Sequence, residues 1–181
     1  MANEKNIFIP GVKDGETFKV GEMEFIKFPD KDGMTPVVMK DIVFQSHFGR
    51  TNNFKESDIL QRMKEEILPD IVEAIGEENL CPVTTDLTSL DGLKDYGAVE
   101  SLIALPTLDF YRENAENFQS HKLNCWWWLA TPWSTPANDD DWCVLCVSPS
   151  GCIRNFNYCN DVNGVRPFLI FKSCIFGSPE A

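Results

Sequence analysis

Seven cysteines, two histidines and a run of aspartates are the residues in this chain whose chemistry could amount to a site. The cysteines are Cys81, Cys125, Cys143, Cys146, Cys152, Cys159 and Cys174, so four of them fall between 143 and 159. Cys143-x-x-Cys146 has the spacing of half a zinc site, but tetrahedral zinc needs a second pair of similar spacing. Cys152 and Cys159 are seven apart. A redox CxxC opens a helix after a strand. This one sits in a β-pattern, where residues three apart point to opposite faces. Unrelated reduced thiols are therefore the expectation. His47 and His121 are distant from the cluster, and their spacing neither supports nor excludes a Cys/His pair. Asp139-Asp140-Asp141 suggests calcium, which takes roughly six to eight oxygens from spaced carboxylates. Three adjacent carboxylates cannot all converge on one ion, so a solvated acidic loop is the stronger reading and calcium the lesser one. No nucleophile elbow, HExxH, GxGxxG or Walker loop is present. The expectation is a protein without catalytic residues, metal or cofactor.

The elements that would position these residues must come from 181 residues, a length suited to one domain. The chain is 43% hydrophobic and 12% aromatic, enough for a core. Its formal net charge is -12, and no Lys/Arg stripe runs along it. Such a surface repels phosphate backbones and anionic membrane. No apolar run approaches the ~20 residues that span a bilayer. Met1 to Asn6 and the short Ile7–Ile9 run do not form a secretory signal. The expected location is the cytoplasm of synthesis, or a virion packaged from it.

Apolar and polar residues alternate on both sides of Gly21 over 16–29, a hairpin signature. Pro36 to Phe44 reads as a buried strand. Ser57 to Ile75 is the clearest helix, with Ile59, Leu60, Met63, Ile67, Ile71 and Ile75 on one stripe. Ser57 or Asn53 can cap it, Pro69 kinks or divides it, and Gly76 ends it. Residues 84–92 are strand and turn. Leu105 to Phe118 predicts a second helix with Pro106 in its first turn. In a strand at 126–128, Trp126 and Trp128 share one face and Trp127 takes the other. Strands follow at 143–147, from 152 and at 164–171, with a turn at 148–151. Arg166, next to Pro167 at the head of the last strand, reads as a structural arginine bonded to carbonyls or a carboxylate. These elements make an α+β chain.

The order Trp127-Trp128-Leu129-Ala130-Thr131-Pro132, then Val147 to Gly151, then Gly164 to Phe176 resembles a family of uncharacterised proteins from gut bacteria and their prophages. The segment FIKFPDKDGMTPVVMKDIVF is similar to the same family, so the resemblance spans most of the chain. That family in turn resembles the formylglycine-generating-enzyme branch of the C-type lectin fold. It also resembles the variable proteins of diversity-generating retroelements, whose C-terminal codons are rewritten at adenines. The resemblance implies a C-type-lectin-like domain of two main helices and short antiparallel strands. It implies a tail at 1–15, a scaffold at 16–134 and a ligand-display segment at 135–181. Oxidase activity is not implied, because that enzyme's cysteine pair falls on no motif here.

Rewriting adenines in an Asn codon cannot produce Lys, Glu, Gln, Met or Trp. Those types supply 38 of the 181 residues. A stretch the length of Cys143–Phe171 would hold about 6 at uniform composition, and it holds none. Cys is reachable by the same rewriting, which accounts for the thiol cluster. Phe and Tyr give rigid contact area, while Asn and Asp give adaptable hydrogen bonds. In this reading Trp126 to Trp128, Val144, Ile153 and Val165 to Phe171 are framework. The ligand-binding residues are Asp139, Asp140, Asp141, Trp142, Cys143, Leu145, Cys152, Arg154, Asn155, Phe156, Asn157, Tyr158, Cys159, Asn160, Asp161 and Asn163. The expected function is recognition of a protein or carbohydrate ligand without catalysis. The rivals are a structural prophage or virion protein with no variable site, and an oxidase of the formylglycine-generating type.

Overall fold

The computed structural model describes residues 9–173. The expected tail at 1–15 thus lies outside the described residues as far as residue 8, as do Cys174 and the 175–176 end of the GVRPF motif. From Ile9, which is fully buried in a 3-10 turn (Ile9–Gly11), the chain enters the hairpin. Strands β1 (Thr17–Val20) and β2 (Met23–Lys27) pair antiparallel, with Gly21 at a φ of +57° in the turn. Glycine takes that left-handed conformation without the Cβ clash. Strand β3 (Met34–Met39) pairs with β2. The chain then bends, so that β4 (Phe44–Ser46) joins a different sheet.

The remaining strands are β5 (Leu80–Cys81), β6 (Val83–Asp86), β7 (Ala98–Ser101), β8 (Trp127–Pro132), β9 (Cys143–Val147), β10 (Ile153–Tyr158), β11 (Asn163–Val165) and β12 (Phe168–Lys172). One sheet runs β1-β2-β3-β12-β5, a second runs β10-β9-β8-β11-β4, and β6 with β7 forms a third.

This architecture corrects the expected fold class. Among the described residues the chain is mostly β, with twelve strands in three sheets, one 18-residue helix and short 3-10 turns. It is not the two-helix α+β, C-type-lectin-like domain anticipated from the sequence. The single long helix covers 58–75, as α1 (Asp58–Arg62), a π-turn (Met63–Ile67) and α2 (Leu68–Ile75). Pro69 explains the division. It has no N–H, and its ring crowds the carbonyl four residues back. The ladder widens there, and Leu68 N–H donates to Met63 O, five residues back. Both suggested caps are used. Ser57 Oγ accepts from Leu60 N at 3.1 Å, and Asn53 Oδ1 accepts from Lys55 N in the preceding 3-10 turn. The second expected helix is only two short pieces, α3 (Leu108–Glu113) and α4 (Ala115–Gln119). They break at Asn114, whose φ of -118° is not helical. Thr107 caps α3, so Pro106 lies before the helix and not in its first turn.

The tryptophans also depart from simple alternation. Trp126 precedes β8 and is 37% exposed, while Trp127 and Trp128 are both buried. Strand β8 is central in its sheet and covered on both faces. Trp127 packs against Tyr111 and Phe118, and Trp128 packs edge-on to Phe48 at 5.5 Å and donates Nε1–H to Ser46 O.

The two larger sheets are joined where two neighbouring strands change sheet side by side. Residues 34–46 run through β3 into β4, and 163–172 run antiparallel through β11 into β12. At the crossing Met39 N–H donates to Pro167 O and Val43 N–H to Val165 O, both at 2.9 Å. Arg166 sits in the seam, 1% exposed. Its Nε donates to Met39 O at 2.9 Å, and Nη2 to Lys40 O at 2.7 Å and His121 O at 3.3 Å. Burial pulls its pKa down to about 10, so it stays charged at neutral pH.

Candidate functional site: an aromatic cleft at the end of the second sheet

Strand β9 begins just after Trp142 and β10 ends at Tyr158, and the two pair antiparallel with Cys143 opposite Tyr158. This pairing sets two exposed aromatics beside each other, Trp142 at 45% and Tyr158 at 51% exposed. Together with Gly49, Arg50, Cys159 and Asn160 they line an open cleft of about 460 Å³.

The cleft is held by segment 47–52, which is sutured to both strand ends. Phe48 N–H donates to Cys159 O at 2.8 Å, Cys159 N–H to Trp142 O at 2.7 Å, and Asn52 N–H to Asp141 O at 2.6 Å. His47 Nδ1 lies 2.5 Å from Asn160 O. The Cys159 thiol donates to Arg50 O at 3.5 Å. Gly49 suits a close approach: a Cβ there would meet Ser57 Cα, at the helix cap, at 3.2 Å, so the two segments would have to part by a few tenths of an ångström. Behind the wall, the fully buried Asn52 donates Nδ2–H to Ser134 O and Cys143 O, both at 3.0 Å. It accepts from Tyr96 Oη–H at 2.6 Å. The tip beyond β10 is closed by a reciprocal pair, Tyr158 N–H to Asp161 Oδ2 at 2.9 Å and Asp161 N–H to Tyr158 O at 2.8 Å.

The acidic loop is similarly fixed. Asp139 takes a φ of +53°, a left-handed conformation that Asp tolerates better than most residues. Asp91 accepts from Ser134 Oγ at 2.7 Å, Ser89 Oγ at 2.5 Å and Asn138 Nδ2 at 2.9 Å. The Ser134 bond, then the Ser89 bond, hold its pKa below the usual carboxylate range. Burial first, then the charges of Asp141 and Asp95, push the Tyr96 hydroxyl well above the usual phenol range.

Of the residues expected to bind ligand, the fold brings Trp142, Tyr158, Cys159 and Asn160 into the cleft, with Asp141 and Asp161 close enough to act on Cys159, Asp140 half-buried near Cys143 and Asp139 exposed on the same loop. Cys159 reaches the cleft while only 5% exposed. Cys143 is half-buried opposite Tyr158. Cys152 and Arg154 are exposed toward the 148–152 turn at the other end of β10, roughly 20 Å and 13 Å from Tyr158 at about 3.3 Å per residue. Asn155 is half-buried, and Phe156 and Asn157 follow it along the strand, where the register shifts. Leu145 at 1% and Asn163 at 5% exposure sit in the interior. Gly49, Arg50 and the supporting Asn52 and Tyr96 lie outside every sequence motif, and only long-range contacts reveal them.

The described cysteines are all free. Burial, followed by Asp140, pushes the Cys143 thiol up, and burial pushes Cys146 to about 12. Burial and then Asp141 raise Cys159. Among the described residues no group of three or more His, Cys, Asp and Glu is arranged to hold a metal ion, and no helix is long and apolar enough to cross a membrane. A second recess, about 270 Å³ beside α3, is polar, but its groups satisfy one another. Thr88 Oγ1 donates to Asp86 Oδ1 at 2.6 Å, and Thr131 Oγ1 accepts from Leu108 N at 2.9 Å.

Residues 84–173 match a family model described as a domain of unknown function (DUF6273). The match covers just under half of the chain and takes in most of the cleft, though not its Gly49–Arg50 side. No curated protein and no solved structure matches the chain.

Proposed function

We propose that this protein is a non-enzymatic binder that takes a ligand in the Trp142–Tyr158 cleft. The observation that carries this reading is the pair of large aromatics, each about half exposed, on a backbone fixed by Asn52 and the 47–50 segment. Exposed Trp and Tyr on a rigid support supply contact area at low entropic cost, and adjacent Asn and Arg supply hydrogen bonds. The thiols nearest the cleft have raised pKa values and are therefore protonated at neutral pH, which does not favour the oxidase alternative. The exposed positions of the segment poor in Lys, Glu, Gln, Met and Trp, such as Tyr158, Asn160 and Asp161, are the ones we expect to differ between close copies of this chain. That is the diversified-surface reading, and it does not depend on a lectin fold.

The test is binding of the purified protein to a mixed array of glycans and peptides, repeated with Trp142→Ala and Tyr158→Ala. Each variant should lose about fivefold or more in affinity, about 1–3 kcal/mol, as expected for a central aromatic anchor. Thermal stability should stay near that of the parent. A ligand bound equally well by both variants would move the site elsewhere.

A further inference from the structure

We propose that the cleft takes an organic cation, specifically a Lys or Arg side chain presented by a protein partner. This rests on the reading of the cleft as the binding site and names the chemistry of its ligand. Three observations converge. Trp142 and Tyr158 offer two exposed aromatic rings on adjacent strand ends, and aromatic faces attract ammonium and guanidinium groups. The carboxylates whose charge reaches the cleft, at Cys159, are Asp141 and Asp161. After burial, which raises the pKa of the Cys159 thiol most, the charged groups that act on it are Asp141 and Asp161, and both raise it further, so they make the potential there negative. Arg50 is the one cation of the lining. It turns its carbonyl toward Cys159, and its side chain is exposed. At larger range, the net charge of -12 steers a basic macromolecule toward the surface and repels an acidic one.

The experiment is a nitrogen-15 NMR titration of the full chain at low ionic strength. Its probes are a hexa-arginine peptide, a hexa-glutamate peptide and chitohexaose. The Trp142 indole signal is assigned with Trp142→Phe. Hexa-arginine should shift the Trp142 indole and the Tyr158 and Asn160 amides saturably, and the other two probes should leave them unmoved. Asp141→Asn with Asp161→Asn, which keeps the Asp161 side-chain acceptor for Tyr158 N–H, should weaken the peptide about tenfold. Trp142→Ala should weaken it by about fivefold, the share expected of a ring–cation contact. Shifts spread over the acidic surface and indifferent to Trp142→Ala would be non-specific attraction and would overturn the proposal. Saturable binding of chitohexaose in place of the peptide would also overturn it, but would leave the cleft standing as the binding site. If no probe moves the cleft, the cation proposal fails, and the array above decides separately whether the cleft binds anything.

Discussion

Asn52 makes three hydrogen bonds with one buried amide, reaching Ser134 O, Cys143 O and Tyr96 Oη. Asparagine fits because it carries both donors and an acceptor on a short stem. Asn52→Ala strands the Ser134 carbonyl and the Tyr96 hydroxyl, while Cys143 O keeps its bond from Trp133 N–H, and each unsatisfied group costs about 1–3 kcal/mol. We expect a loss of about 2–4 kcal/mol, read from the urea midpoint, with amide exchange rising at 134–143. Cys146 gives a pH-dependent counterpart. Its thiol is fully buried and its pKa rises from the ordinary 9.0 to about 12, so the folded chain keeps neutral what the unfolded chain ionises. That contribution is whole below about pH 9 and is lost as pH climbs toward 12. The fall in melting temperature from pH 8.5 to 11 should be shallower in Cys146→Ala than in the parent. At pH 8, iodoacetamide should reach the exposed Cys152 long before Cys146.

At the scale of elements, β11 is a strand of three residues that lies between two neighbours. It pairs antiparallel with β4 and, through Gly164 opposite Trp127, parallel with β8. Gly164 N–H donates to Trp126 O at 2.8 Å. A Cβ on Gly164 would meet Ile42 Cγ2 at 2.6 Å and Trp126 O at 3.1 Å, so glycine is needed here for approach and not for an unusual φ. Gly164→Ala should cost about 1–3 kcal/mol, the usual range for overpacking. Its effect should appear as weakened protection of the β8–β11 amides, with the β1–β2 hairpin unaffected. The long helix shows the converse, a local rule that held. Pro69 was expected to divide it, and the π-turn at Met63–Ile67 is the form the division takes.

For the whole molecule, the decisive feature is the seam where two strands leave one sheet and enter the other. Arg166 ties three carbonyls from Met39, Lys40 and His121 across it and lies 5.3 Å from the centre of the Trp127 ring. No salt bridge of Arg166 appears among those of the described residues, so these carbonyls and rings carry the solvation of its charge. Arg166→Met fills similar volume but leaves the carbonyls unpaired, and we expect a loss of about 3–5 kcal/mol. The readout is a lowered urea midpoint monitored by tryptophan fluorescence, since Trp127 packs on the seam. Arg166→Lys should recover only part of the loss, because an ammonium cannot span the same fork of acceptors.

The sequence by itself determined what depends on near neighbours. The Gly21 hairpin, the helix over 58–75 with its Ser57 cap and proline break, and the structural role of Arg166, bonded to carbonyls or a carboxylate, follow from period, capping chemistry and the cost of a bare buried charge. The tertiary structure alone decided what depends on distant partners. Helix 105–118 fell into two short pieces, because an amphipathic stripe states only that one face is buried and not how far the helix runs. Both Trp127 and Trp128 are buried because β8 is covered on two sides, which an alternation rule cannot foresee. The balance of twelve strands to one long helix overturned the expected lectin-like class, since pairings such as β3 with β12 join residues more than a hundred positions apart. For the same reason the cleft needs Gly49, Arg50 and Asn52 beside Trp142 and Tyr158. Burial and hydrogen bonding are satisfied in space, and the chain carries no local mark of which loop will supply the second wall.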